Sequence, residues 1–226
     1  MAYDFHTHSF LSDGELSPVE LIRRAAVKGY QAIAVTDHVG PGNMQRVIQE
    51  LIEECRVANG YWKIRAIPGV ELTHVPAGSI DDWAKQAREF GAEIVVVHGE
   101  TLVEPVEPGT NLAAVSSSWV DVLAHPGLLG TKEVELAVKN GVFLEITARG
   151  GHNVANGYVM KTGKSLNADF LVNSDTHVPE NLLSDDWARI VALGAGFEPD
   201  EVEKILVNNP LKLLRKIESR NRNPKS

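Results

Sequence analysis

Short runs of Val, Ile, Leu and Phe alternate along this chain with longer amphipathic stretches, and that rhythm restricts the fold more than any other feature of the sequence. Seven runs are predicted as strands: 3–5, 32–36, 65–68, 93–97, 121–124, 142–146 and 170–173. The stretches between them carry helical periodicity. Ser17-Pro18-Val19-Glu20 opens the first helix, with Ser17 as cap, Pro18 at N1 and Glu20 closing a capping box. Leu21, Ile22, Ala25 and Ala26 form its buried face, and Gly29 ends it. Further helices are predicted over 43–58, stopping near Gly60, and from a cap at Ser79 to Gly91, burying Ile80, Trp83, Ala84 and Ala87. Others run from Thr131 to just before Gly141, over 153–166 and over 184–193, with weaker periodicity over 109–118. Such regular alternation implies parallel strands joined by right-handed crossovers. An open sheet and a barrel both satisfy it. No Gly-rich phosphate loop follows the first strand, so a dinucleotide fold loses its main support.

A length of 226 residues suits one domain, expected over 1–226, with a C-terminal helix and basic tail over 210–226. The net charge of −8 argues against a large non-specific nucleic-acid surface. From Lys212 onward, however, Lys212, Arg215, Lys216, Arg220, Arg222 and Lys225 face one acid, Glu218. These read as a solvated helix end with cations on the macrodipole, or else as a contact patch. The one cysteine, Cys55, excludes an intrachain disulfide. It falls on the stripe Met44, Val47, Ile48, Leu51, Ile52, Cys55 and reads as a buried small hydrophobe. No leader precedes the first strand and no apolar run reaches membrane-spanning length, so a cytoplasmic protein without a membrane partner is expected.

Chemistry gathers where the predicted strands end. His6-Thr7-His8 follows the first, with Asp13 beyond it, and Thr36-Asp37-His38 follows the second. The third runs into Gly69-Val70-Glu71, the fourth into His98-Gly99, the fifth into His125-Pro126-Gly127, and the seventh into Asp175-Thr176-His177. Six of the eight histidines therefore stand at strand ends. In a parallel barrel all those ends meet on one face, which carries the active site. Residues i and i+2 of a strand point the same way, so His6 and His8 can reach one ion, and Asp175 and His177 a shared cluster. Imidazole nitrogen and carboxylate oxygen suit Zn²⁺, Mn²⁺ or Fe²⁺. A single strand-end histidine is more often hydrogen-bonded structure. A converging set of six, with three acids, points to metal.

The ordered set H-x-H, Asp13, T-D-H, G-x-E, H-G, H-P-G and D-x-H resembles the PHP domain, named for polymerase and histidinol phosphatase, from Phe5 to His177. The resemblance implies an α/β fold, a distorted (βα)7 barrel with parallel strands, and a trinuclear metal site. The sequence shows no polymerase region, so it is most similar to stand-alone hydrolases of the histidinol phosphatase type. Carried across, the family pattern makes ligands of His6, His8, Asp13, His38, Glu71, His98, His125, Asp175 and His177. It places His6, His8 and Asp175 on one ion and His98 and His125 on a second, with Glu71 bridging the two. Asp13, His38 and His177 hold the third. Three divalent ions (Zn, Mn or Fe) less three ligand carboxylates leave a cationic cluster that would attract a phosphomonoester dianion. The expected nucleophile is a metal-activated hydroxide, with no catalytic side chain beyond the ligands.

Other residues fall near this set. Asp37 is expected to make a supporting hydrogen bond, and Glu145, ending the sixth strand, to support a ligand or touch substrate. Arg149 and His152, in the loop Arg149-Gly150-Gly151-His152-Asn153, are candidate phosphate contacts, with Asn153 as a helix cap. His74 and Lys161 are placed at the surface. The leading expectation is hydrolysis of a small phosphorylated substrate. The alternatives are a phosphodiesterase or nuclease acting on nucleotides or short single-stranded ends, and a non-catalytic subunit of a nucleic-acid-processing assembly. The negative charge and an aromatic content of 6% disfavour binding of extended nucleic acid, and the intact ligand set disfavours a scaffold.

Overall fold

The computed structural model describes residues 2–222. Among these, β1 (Tyr3–Asp4), β2 (Ala32–Val35), β3 (His38–Val39), β4 (Arg65–Leu72), β5 (Ile94–His98), β6 (Val122–Ala124), β7 (Phe143–Thr147) and β8 (Phe170–Asn173) form one sheet, and every pairing is parallel. The strand order β1-β2-β4-β5-β6-β7-β8 is sequential, as in a barrel of successive strand–helix units. Past its ends the sheet nearly closes on itself. A bridge joins Thr7 to Thr176, with His8 N donating to Thr176 O (2.8 Å) and Asp175 N to His6 O (3.0 Å). Buried Asp4 reinforces this seam by accepting from Ser174 N. The barrel reading is therefore the correct one of the two.

The structure adds one strand. His38 does not trail β2 but opens β3, which pairs with Glu71 and Leu72 of β4. The physical reason is the length of β4: its first half pairs with β2 up to Pro68, leaving its second half free for a new neighbour. At the changeover, Gly69 pairs with Ile94, and a Cβ there would collide with Ile94 Cγ2 and Thr36 Cγ2. Only glycine lets the strands stay this close.

Helices α1 (Pro18–Val27), α2 (Met44–Tyr61), α3 (Ile80–Glu89), α4 (Thr110–Ser116), α5 (Thr131–Asn140), α6 (Asn156–Lys164) and α7 (Asp185–Gly194) follow the strands. Ser17 caps α1 as expected, and Ser184 caps α7. Glu20 does not complete the capping box but pairs with Arg24 one turn on. Gly60 lies inside α2, which ends one residue later. Ser79 does not cap α3, because its hydroxyl donates to Pro76 O (2.8 Å) and its own backbone already belongs to a short 3-10 turn. A 3-10 turn over His152–Ala155 likewise precedes α6 and displaces the expected cap at Asn153.

The lumen is filled by Phe5, Ala32, Ala34, Ile67, Ile94, Val96, Val122, Ala124, Phe143 and Leu171. After one π-turn (Lys204–Asn208), helix α8 (Asn209–Arg222) adds Leu213 and Ile217 to that cluster. The helix thus stoppers the end where strands begin. Its cations are only in part a solvated run: Arg215 and Arg222 are exposed, whereas others pair with the barrel. Lys216 and Arg220 meet buried Asp121 at 3.1 and 2.6 Å, joined there by Arg88. Lys212 reaches Asp169. Lys225 lies outside the described residues. Cys55 is buried, and burial pushes its thiol up, as a small core hydrophobe requires. No helix among the described residues is long and apolar enough to cross a membrane.

Candidate metal centre

The strands deliver their last residues to the open mouth. Parity along β4, β5 and β7 places Glu71, His98 and Glu145 in line with the lumen residues Ile67, Ile94, Val96 and Phe143. His125 and Asp175 sit just past β6 and β8 with φ of 26° and 53°. Residues other than glycine are held in such conformations only where their surroundings enforce it, at a cost of about 1–3 kcal/mol each.

All eight histidines meet here. Their rings form a connected chain of neighbours, from His8–His38 at 4.1 Å between centroids to His38–His98 at 6.3 Å, with His74 and His152 attached through His98. Three sets of donor atoms match the expected ligands: His6, His8 and Asp175; His6, Glu71 and His125; and His8, Asp13, His38 and His177. Glu71 Oε1 lies 3.3 Å from His6 Nε2 and 3.6 Å from His125 Nε2, while Oε2 lies 2.7 Å from His38 Nδ1. Asp13 reaches His38 and His177 at 3.5 and 3.2 Å. The grouping departs from the family pattern in three respects: His6 also falls with Glu71 and His125, His8 also falls with Asp13, His38 and His177, and His98 falls with His74 and Glu104 rather than with His125 and Glu71.

Supporting contacts fix these side chains. Glu145 is buried and accepts from His6 Nδ1 (2.8 Å) and Asn173 Nδ2 (3.1 Å), so it orients a ring and does not face the cavity mouth. Asp37 orients no imidazole. It accepts from Ser9 N, Ser9 Oγ and Ser12 Oγ, pinning the loop that carries Asp13. Arg149, half-buried, leans on Asp175 O (3.5 Å) and, with His152, lines a cavity of about 410 Å³ that also exposes Asp13, His38, His98, His125, Asp175 and His177. Lys161 is exposed. His74 is not an isolated surface residue, because it lines the same cavity and lies 3.2 Å from Glu104.

The electrostatics are those of a crowded, dry site. Burial pushes the His8 imidazole down to about 4, which keeps it neutral and able to donate a lone pair. Burial also opposes charge on His6 and His38, but the surrounding carboxylates outweigh it. Glu145, Glu71 and Asp175 raise His6 well above the ordinary value, and Glu71 and Asp13 raise His38 to about 10. Glu71 and Asp175 are held well below the carboxylate range by these histidines, against their burial. Even so, His6 Nε2, both ring nitrogens of His8, Glu71 Oε1 and Asp175 Oδ1 are buried without a hydrogen bond. Leaving such atoms unpaired costs about 1–3 kcal/mol each. Their residues fall in two overlapping sets, each compact enough for one ion, and their chemistry fits divalent cations of the Zn, Mn or Fe class.

Glu104 had no signal in the sequence beyond its place in a loop after a strand. It follows His98 at no motif spacing, and only the fold returns it to the mouth.

Comparison with known proteins gives the following. The model of the PHP domain matches residues 4–140. An uncharacterized protein of Methanocaldococcus jannaschii is 48% identical over 218 residues, 96% of this chain and 100% of that protein. A chain of archaeal ribonuclease P, in a structure with mature tRNA, superposes with a TM-score of 0.73 at 16% identity, covering 97% of this chain and 93% of that one. The histidinol phosphate phosphatase of Lactococcus lactis, in complex with zinc, L-histidinol and phosphate, gives a TM-score of 0.57 at 16% identity, covering 87% of this chain and 94% of that one. These two likenesses are of fold.

Proposed function

The chain belongs to the PHP domain family, and on that premise we propose that it is a metal-dependent phosphoesterase acting on a small phosphomonoester through a centre of three divalent ions. The observation that carries this reading is that His, Asp and Glu donor atoms gather at the open mouth of the barrel in sets of three or four, each within 4.8 Å, several of them buried without a hydrogen bond. His6, His8 and Asp175 would hold one ion, His125 with Glu71 a second, to which the family pattern adds His98, and Asp13, His38 and His177 a third. When bound, such ions supply water of lowered pKa and polarise phosphoryl oxygens.

The chain's own residues do the rest. Glu145 holds the His6 ring by its Nδ1 and leaves Nε2 turned to the centre. Asp37 keeps the Asp13 loop closed. Arg149 offers a guanidinium from the wall of the cavity, where it would take a phosphoryl oxygen and orient the ester; His152 stands beside it. A cavity of about 410 Å³ suits a small ligand. Arg149→Ala is expected to raise KM or lower kcat for a phosphomonoester with bound metal unchanged, checked by steady-state kinetics beside elemental analysis. Unaltered kinetics would remove Arg149 from the site.

A second reading follows from the ribonuclease P likeness, which favours a scaffold or nucleic-acid role. The net charge of −8 and the complete ligand set speak for the first. Protein reloaded with Mn²⁺ or Zn²⁺ is to be tested on small phosphomonoesters, nucleoside bisphosphates and single-stranded DNA. Release of phosphate from a monoester supports the proposal. Cleavage of DNA alone would replace it with a nuclease, and inactivity of the metal-loaded protein on all three would favour the scaffold.

A further inference from the structure

Three residues outside the nine-residue pattern gather at the rim of the mouth. Glu104 Oε2 lies 3.2 Å from both His74 Nε2 and His98 Nε2, and Glu104 Oε1 lies 3.4 Å from His152 Nε2. Zinc–nitrogen and zinc–oxygen bonds of about 2.0–2.1 Å at tetrahedral angles set neighbouring donors about 3.3–3.4 Å apart. The observed separations match the edges of such a shell. Only the His74–Glu104 pair is placed as a hydrogen bond; His98 and His152 aim Nε2 at the carboxylate without making one.

The backbone supplies an independent sign. Among the described residues, four other than glycine have positive φ: His74, His125, Asn167 and Asp175. Asn167 lies in the turn after α6. His125 and Asp175 belong to the expected ligand set, and His74, at 51°, shares their strain and their cavity. Strained residues of this kind concentrate where a side chain must be aimed. The two loops that carry the rim residues are also tied together. Ala77 N donates to Glu107 Oε2 (3.0 Å), and Glu100 anchors the base of the second loop by accepting from Gly109 N and Asn111 N.

We propose that His74, His98 and Glu104, with His152 beside them, form a further divalent-cation position at the rim, suited to an ion of the zinc class. Two imidazoles and one carboxylate, leaving a position open, are a donor set such an ion favours. The proposal rests on the metal reading of the mouth. It differs from the family pattern by giving His98 two partners from outside that pattern. An ion there would also fasten loop 100–109 to the wall of the cavity through Glu104.

The test is the number of ions bound, not the activity. Wild type, Glu104→Gln, His74→Gln and Asp13→Asn are dialysed against buffered free Zn²⁺, and zinc per chain is measured by elemental analysis, with circular dichroism as the control for folding. Glu104→Gln and His74→Gln are each expected to lose one ion at a free zinc concentration that saturates wild type. The loss in affinity should exceed the roughly 10–100-fold that removal of an outer partner costs. Glu104→Gln combined with Asp13→Asn should lose two ions, because the positions are separate. Unchanged zinc content in folded Glu104→Gln and His74→Gln overturns the rim site and leaves the phosphoesterase reading standing. Ions bound and lost as expected, with no ester hydrolysed, would uphold the rim site and remove the phosphoesterase. A wild type that binds no ion removes both.

Discussion

Among single residues, Glu145 shows how a side chain away from the substrate can govern the centre. Its carboxylate is buried and accepts from His6 Nδ1 at 2.8 Å, which fixes both tautomer and ring orientation. Glu145→Ala is therefore expected to weaken metal binding about 10–100-fold with the fold retained, as read by zinc titration against a competing chelator. Proton balance gives a second expectation. The carboxylates of Glu71 and Asp13 outweigh burial and raise His38 to about 10, and carboxylates likewise raise His6 well above its ordinary value. The His38 ring, raised to about 10, carries a proton at pH 7 in the metal-free protein and must lose it to bind an ion. Metal uptake at pH 7 should release protons, and affinity should rise with pH, both measurable by calorimetry in buffers of different ionisation enthalpy. The same sign applies to stability. His38 stabilises the metal-free fold fully below its unfolded value of about 6.5, and that contribution is lost as pH rises through about 10. The residues legible in the sequence were those whose place follows from a strand end: His6, His8, His38, Glu71, His98, His125, Asp175 and His177. Glu104 and His74 were not, because their meeting depends on the paths of two loops that no local periodicity encodes.

Between elements, the clearest coupling is that of α8 to the barrel floor. Burial alone would push the Asp121 carboxyl up, but Arg88, Lys216 and Arg220 hold it well below the usual carboxylate range. A group with a depressed folded pKa stabilises above its unfolded value, about 3.9, and loses that contribution as pH falls through the folded one. Asp121→Asn leaves three cations around a neutral amide and is expected to cost about 3–5 kcal/mol in urea denaturation. Hydrolytic activity per folded molecule should be unchanged, because Asp121 lies at the opposite end from the ligands. The sequence marked the basic run but misread its use: composition shows that Lys212, Lys216 and Arg220 are close along a helix, not that a buried aspartate 99 residues before Arg220 awaits them. The alternation of strands and helices was legible for a plain reason. Strands such as β2 and β5 are walled on both faces and so read as near-continuous apolar runs. Strand β3 was missed because two residues carry no period, and the caps at Ser79 and Asn153 failed where 3-10 turns preceded the helices.

Across the whole molecule, the barrel separates two tasks. The floor is closed by Leu213, Ile217 and an ion network, while the mouth collects eight histidines with Asp13, Glu71, Glu104 and Asp175. Stability and chemistry therefore occupy opposite ends, as in other barrels of parallel strands. Barrel and open sheet could not be told apart by periodicity, and closure is visible only in long-range contacts such as Thr7 with Thr176. The central proposal is that the mouth holds three divalent ions which make the protein a phosphoesterase. It is tested most directly by titrating metal-free protein with Mn²⁺ or Zn²⁺ while recording bound metal and phosphate release from a small phosphomonoester. Release that appears only as the clustered positions fill, and is abolished in His8→Ala, is the expected result. Saturation at a single tight ion, or phosphate release that persists in metal-stripped protein, would contradict it.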